Sequence, residues 1–320
     1  MCCSKCESGH DVISLGDDCM REAQYGIDNI SQFIVNGKSF TACANTVKEL
    51  PNGYYRLYTD RNNNVVFELQ YPKLNKLVVL ESCDIHQIII KDIQTFWASR
   101  EKYAKRNKVY KRNLLLYSKP GIGKTSLINI LVKDLIDNQN GLVISLGSSY
   151  EIELFTNAMN VLRTIMPDKP VIVIIEDVDN FAGSHSIDRQ LETELLNILD
   201  GIYQYDNLVI LATTNYPEYL TERYICRPSR FNRRFEFPLP NVEVRREFLI
   251  KTNLKEDIES IDLDKWLRRT EGYTIDFLKE LSDAVFISGR DEEEVFDEID
   301  NMRGVSVLKN TSNEKIGLIK

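Results

Sequence analysis

The sequence predicts an α/β chain: a parallel β-sheet with helices on both faces, a helical lid domain after it and a small β-rich N-terminal domain before it. Three observations predict this. Near-continuous apolar runs of strand length alternate with longer amphipathic stretches between about residues 114 and 212, the pattern of a sheet buried on both faces. After Pro238-Leu239-Pro240 the strands stop and helical spacing takes over. Before residue 85 the runs are short, alternating and bounded by turn residues.

Taken in order, Tyr54–Tyr58 and Val65–Leu69 read as strands joined by the turn Asp60-Arg61-Asn62-Asn63-Asn64, and Lys76–Leu80 is a third strand candidate. No chemistry is visible in residues 1–85, so this domain reads as a scaffold or a surface for a partner. Residues 86–240 form the expected α/β domain. It opens with a helix over 91–106, whose Ile93, Phe96, Trp97 and Tyr103 share an apolar side. Strands are expected at 114–117, 142–146, 171–175 and 208–212, with helices at 124–137, 150–166 and 188–199 between them. Residues 241–305 read as a helical domain with helices at 242–251, 263–269, 274–288 and 291–303, and 306–320 as a loose tail.

Composition narrows the class. Of 320 residues 43% are hydrophobic and 28% charged, enough apolar material for a substantial core. No apolar run approaches the roughly 18 residues of a membrane span, and no basic-then-apolar leader opens the chain. The expected location is the cytoplasm or another reducing compartment. A formal charge of −8 disfavours a protein whose whole surface grips nucleic acid, without excluding a local basic site. Seven cysteines, an odd number, read as free thiols. Cys3, Cys6, His10 and Cys19 form a candidate zinc set with irregular spacing; a frayed reduced terminus is the alternative.

The chemistry is concentrated at strand ends. The strand ending at Tyr117 runs into Ser118-Lys119-Pro120-Gly121-Ile122-Gly123-Lys124-Thr125, and a helix begins there and continues through Ser126. Phosphates need backbone N–H groups at close approach; glycines leave room for them, and the helix N-terminus favours negative charge. Lys124 is placed for the β- and γ-phosphates, and the Thr125 hydroxyl for Mg²⁺. Ser118 stands where the usual pattern has glycine. Val171–Ile175 delivers Glu176 and Asp177, one carboxylate for the metal sphere and the next for the attacking water. Leu208–Thr214 delivers Asn215, which either positions that water or caps the following turn. Arg227, Arg230, Arg233 and Arg234 lie within eight residues, as a transition-state arginine supply or as a basic surface.

In this order Pro120–Thr125, Ile174–Asp179, Leu195–Gly201, Ala212–Asn215 and Arg227–Arg234 resemble an AAA+ ATPase of the AAA group proper, over about residues 95 to 300. The Glu176-Asp177 order and the lead Tyr103–Tyr117 are similar to the mitochondrial respiratory-complex-III assembly ATPases; that subgroup's transmembrane helix is lacking, so its membrane-complex function is not transferred. The resemblance implies ATP and Mg²⁺ as cofactors. Pro120, Gly121, Ile122, Gly123, Lys124, Thr125 and Ser126 would bind nucleotide, with Thr125 and Glu176 at the metal, Asp177 at the water and Asn215 as sensor. Arg230 and Arg233 would be fingers entering a neighbour's site, which implies a homo-oligomeric ring, most often a hexamer. Val109 and Tyr110 sit where the family packs adenine, or serve as core. The helix near Thr274-Ile275-Asp276-Phe277 has no sensor arginine, and Tyr150 lies near a pore-loop position without the usual pattern.

Three functions fit. The first is an ATP-driven remodeller of proteins or protein complexes. The second is a nucleic-acid motor or loader using the basic stretch Arg100, Lys102, Lys105, Arg106, Lys108, Lys111 and Arg112, which otherwise reads as a solvated helix face. The third is an ATP-gated interaction protein with little turnover.

Overall fold

The computed structural model describes residues 32–36, 39–43, 47–72, 77–181, 189–200 and 205–314. The candidate zinc set therefore lies outside the described residues. The chain divides into two units, Met1–Pro51 and Asn52–Lys320. In the first, β1 (Gln32–Asn36) and β2 (Ser39–Cys43) pair antiparallel.

The second unit is built on a seven-stranded sheet of β3 (Gly53–Thr59), β4 (Val65–Gln70), β5 (Lys111–Tyr117), β6 (Leu142–Ser145), β7 (Val171–Ile175), β8 (Leu208–Thr214) and β9 (Arg233–Glu236), in the order β4-β3-β6-β7-β8-β5-β9. All neighbours run parallel except β3 and β4. Every residue of β7 and β8 is buried, as expected for strands covered on both faces. The helices are α1 (Asp84–Trp97), α2 (Arg100–Ala104), α3 (Lys124–Asn138), α4 (Ser149–Ile165), α5 (Arg189–Asp200), α6 (Glu222–Ile225), α7 (Val242–Thr252), α8 (Lys255–Glu259), α9 (Leu263–Arg269), α10 (Ile275–Ser282) and α11 (Glu292–Glu314). One core joins Ile89, Ile93 and Phe96 of α1 and Leu127, Leu131 and Leu135 of α3 to Ile172, Ile174, Val209 and Leu211 of the sheet. A second core, around Trp266, Leu278, Leu281 and Phe296, holds the helical lid together.

Four expectations change. The hairpin Tyr54–Leu69 forms, its turn held by Asp60 Oδ1 accepting from the amides of Asn62 and Asn64 at 2.8 Å. It is not a separate domain ending at residue 85: Gly53–Tyr55 pair with Leu142–Ile144, so the hairpin is the edge of the large sheet. Burial of Tyr55 and Leu57 on one side of β3 is the physical reason, because an isolated hairpin has nothing to bury them against. The helix expected at 91–106 is two helices; the first starts at Asp84, and the break falls at Ala98 and Ser99, where Ser99 Oγ donates back to the Thr95 carbonyl at 2.6 Å. Residues 77–80 are not a strand. Their polar groups and those just after are held by the lid: the Val79 carbonyl accepts from Lys251, and the amides of Glu81 and Ser82 donate to the Glu247 carboxylate at 2.8 Å each. Finally, α11 carries the backbone on to Glu314, through residues read as a loose tail.

Candidate active site

Parallel strands β5, β7 and β8 end on one edge of the sheet, and that edge is where the predicted residues meet. Between β5 and α3 the chain makes the phosphate loop. Gly121 (φ 79°) and Gly123 (φ 100°) both lie in the left-handed region that favours glycine. At Gly121 space matters too: a Cβ there would lie 3.0 Å from the Thr274 hydroxyl and from an Asp276 carboxylate oxygen. No side chain caps α3, so its first amides face the cleft for an anion. The cleft encloses about 260 Å³ and is lined by Pro120, Gly121, Ile122, Gly123, Lys124, Thr125, Ser126, Glu176, Asp177, Thr213, Asn215 and Asp276.

Within it the charged groups form two connected sets. Lys124 Nζ donates to Ser118 Oγ at 2.8 Å and to Asn215 Oδ1 at 2.6 Å, and Asn215 Nδ2 donates to Asp177 Oδ1 at 3.2 Å. Asn215 is thus not merely a turn cap; it links the ammonium to the carboxylate. The hydroxyl at Ser118, absent from the usual glycine pattern, is a direct partner of the lysine. Burial pushes the Lys124 ammonium down, and the carboxylates of Asp177, Asp179 and Asp276 oppose that shift. In the second set Thr125 Oγ1 donates to Glu176 Oε1 at 2.9 Å. A hydroxyl and a carboxylate converging at one rim of a phosphate cleft are hard oxygen donors and fit Mg²⁺.

Asp177 holds a left-handed backbone, φ 48° and ψ 54°, a strained conformation for a residue with a side chain. Its amide donates to Thr213 Oγ1 at 3.1 Å. Behind it Asp179 accepts from Thr214 Oγ1 at 2.5 Å, and that same hydroxyl accepts from the Tyr216 amide at 2.9 Å. The sequence alone assigns no role to Thr213, Asp179 or Asp276. Asp179 stands two residues after the acidic pair, which was its only signal; Asp276 is brought to the cleft by the lid alone.

The arginines divide. Arg230 is buried, its Nε and Nη2 chelating the Asp200 carboxylate at 2.7–2.9 Å and its Nη1 donating to the Arg223 carbonyl. Its guanidinium is turned inward, where Asp200 at the end of α5 satisfies it. Hydrogen bonding from Arg230 holds the Asp200 carboxyl below the usual range, with burial opposing. Arg233 is half exposed, bonded to Asp92 at 3.1 Å with its guanidinium over the Phe235 ring. Tyr110 is core: it stacks on Phe96 with centroids 4.3 Å apart, donates to the Phe96 carbonyl, and is pushed up to about 12 by burial. An apolar cavity of about 300 Å³ instead adjoins the phosphate loop at Ile122, lined by Leu80, His86, Phe237, Pro238, Leu239 and Ile275 among others. His86 is driven down to about 4 by burial.

A parallel sheet that delivers a glycine loop, paired carboxylates and a polar strand end to one edge defines a P-loop nucleoside triphosphatase. Residues 114–239 match the family described as "ATPase family associated with various cellular activities (AAA)", so the chain carries an AAA ATPase domain. It is 28% identical over 221 residues to the ATP-dependent zinc metalloprotease FtsH of Aquifex aeolicus (strain VF5), covering 64% of this chain and 34% of that protein. It is 30% identical over 219 residues to the proteasome-activating nucleotidase of Methanothermobacter thermautotrophicus, covering 64% and 52%. To cell division protein C of Sulfolobus acidocaldarius it is 25% identical over 201 residues, covering 58% and 52%. The matched region thus spans between a third and about half of each relative. Among the described residues no helix is long and apolar enough to cross a membrane, and no three or more His, Cys, Asp or Glu side chains group to hold a metal.

Proposed function

We propose that this chain binds and hydrolyses ATP and couples hydrolysis to the remodelling of proteins or protein complexes, as a ring of identical subunits, six being the expected number. The observation that carries the ATPase reading is the Lys124–Asn215–Asp177 chain beside the Thr125–Glu176 pair in one cleft. The loop amides and Lys124 hold the β- and γ-phosphates. Thr125 and Glu176 would hold Mg²⁺, which would supply charge neutralisation at the phosphates. Asp177 accepts a hydrogen bond from the attacking water and draws off its proton, and Asn215 fixes where that carboxylate points. The base is assigned to the apolar cavity beside Ile122 rather than to Val109 and Tyr110.

Protein as substrate is supported by the names of two relatives, an ATP-dependent protease and a proteasome-activating nucleotidase. The nucleic-acid reading loses support at the end of its basic stretch, where Lys111 and Arg112 are engaged within the chain, while the basic residues from Arg100 to Lys108 stay on the surface. Arg100 pairs with Asp168, Arg112 with Asp92, Lys105 with Glu101, and Lys111 donates to the carbonyls of Ile198 and Leu199. Kinship with the complex-III assembly subgroup rests on the Glu176-Asp177 order and the approach from Tyr103. For the arginine from a neighbouring subunit we assign Arg233, since Arg230 is engaged by Asp200.

The test is ATPase rate against protein concentration. Lys124→Ala should lose nucleotide binding, and Asp177→Asn should bind ATP with turnover down at least about 100-fold. Arg233→Ala should be inactive alone and partly rescued by mixing with Asp177→Asn. Rates independent of concentration, with no rescue, would refute the ring.

A further inference from the structure

Arg233 is held along one edge of its guanidinium and open along the other. Its backbone is fixed by the sheet: Arg233 pairs with Leu114 across β9 and β5. Next to it the Asn113 amide donates to Asn232 Oδ1 at 2.8 Å, and the Asn232 amide donates to the Asn113 carbonyl at 2.9 Å. The side chain is fixed by a different element. Arg233 Nη1 donates to Asp92 Oδ1 at 3.1 Å, and the guanidinium carbon lies 5.0 Å from the centre of the Phe235 ring. Asp92 is itself immobile. Its helix α1 is anchored in the core by Ile89 and Ile93, and Arg112 donates to both its oxygens, at 3.2 and 2.6 Å. Asp92 is 11% exposed at its side chain and Arg233 46%. Among the described contacts Nε and Nη2 of Arg233 make no hydrogen bond. Those two groups form the edge of a guanidinium that matches two phosphate oxygens.

We propose that Asp92 is the positioning residue for the arginine this subunit lends its neighbour: the carboxylate, fixed by Arg112, holds the Nη1 side of Arg233 and leaves Nε and Nη2 for the γ-phosphate next door. The inference rests on the assignment of Arg233 above. Arg112 already neutralises Asp92 with two bonds, so Arg233 is tethered by one, and an incoming phosphate need not break it. An exposed arginine without a tether loses rotamer freedom each time it meets the transition state; a tethered one has lost much of it already. Phosphoryl transfer gains most from charge that is in place before the reaction starts.

The test is steady-state ATPase and calorimetric ATP binding with the full chain, for wild type, Asp92→Ala, Asp92→Asn and Arg233→Ala, alone and mixed with excess Asp177→Asn. Asp92→Ala should turn over about threefold to tenfold more slowly than wild type, with ATP affinity unchanged. Asp92→Asn keeps an oxygen acceptor without the charge and should fall between them. It carries the test if thermal melts show Asp92→Ala unfolded. The defect lies in the neighbour's site, so mixing should cure it. Each Asp92→Ala subunit then receives an intact arginine from Asp177→Asn, and its turnover should match that of wild type mixed in the same way. A merely structural fault in α1 would stay with its own subunit and survive mixing. Wild-type turnover by the folded Asp92 variants overturns the proposal. So does faster turnover, which would make the ion pair a brake, and so does a defect that mixing leaves in place while it rescues Arg233→Ala. If Arg233→Ala itself keeps wild-type turnover, or is not rescued by mixing, the assignment of Arg233 has failed and the proposal with it.

Discussion

Replacing Arg230 by alanine separates two roles that sequence alone left joined. Arg230 is 5% exposed, and its guanidinium makes three hydrogen bonds to the two Asp200 oxygens, at 2.9, 2.9 and 2.7 Å. Removing one member of a buried ion pair costs about 3–5 kcal/mol because the other charge is left without its partner. Asp200 is 22% exposed at its side chain and keeps Ser229 at 3.2 Å and Arg227 at 3.9 Å, so water and these neighbours recover part of that cost. The expected destabilisation of Arg230→Ala is about 2–4 kcal/mol. Arg230→Lys, which cannot chelate both oxygens, should recover only part. Arg227→Ala is the control: its side chain is 67% exposed and its contact long, so the expected loss is about 0.5 kcal/mol or less. Urea and thermal unfolding of the nucleotide-free proteins read all three. An Arg230→Ala protein that unfolds like wild type, yet loses an ATPase activity that mixing restores, would refute the reasoning and return Arg230 to the subunit interface.

Acid should weaken the fold through His86. Its folded pKa of about 4 lies below the ordinary 6.5, so the unfolded chain takes up the proton first; stability is intact above about pH 6.5 and falls by about 3 kcal/mol as pH drops from 6.5 to 4. Unfolding midpoints of wild type and His86→Phe across that window check it, the variant having the flatter profile. Trp266→Ala removes a fully buried ring and a 2.6 Å bond from its Nε1 to Glu292, and should cost about 3–5 kcal/mol in thermal unfolding. Thr214→Val strips the hydroxyl between Asp179 and the Tyr216 amide; turnover should fall several-fold with ATP affinity unchanged, as kinetics and calorimetry would show.

What was legible in the sequence is what is local. Lys124, Thr125, Glu176, Asp177 and Asn215 each follow a strand in the chain, and parallel strands carry whatever follows them to the same edge. What was hidden depends on distant pairing. Tyr54–Tyr58 gives the same alternation whether it pairs only with its hairpin partner or also with Val143, some ninety residues on. Four nearby arginines look alike in sequence, and only the position of Asp200 turns one of them inward. The helix from Asp84 begins at Cys83, a residue with no capping oxygen, so it carried no start signal. Asp276 reads as an ordinary acid in a helix's first turn until the lid packs it against Gly121.

The clasp between Glu247 and residues 81–82 has a mechanical consequence. Burial acts to raise the Glu247 carboxyl, but bonds from Lys251, Ser82 and the Glu81 amide outweigh it and bring the group to about 2, so the clasp stays charged at any ordinary pH. The lid is joined covalently to the sheet through Pro238–Pro240, and here it is fastened a second time to the segment that enters α1. A body held at one point swivels freely; held at two, it turns about the line between them. The lid is thereby linked to the sheet at the root of α1 as well as at the far end of β9, and a torque on it is felt at both.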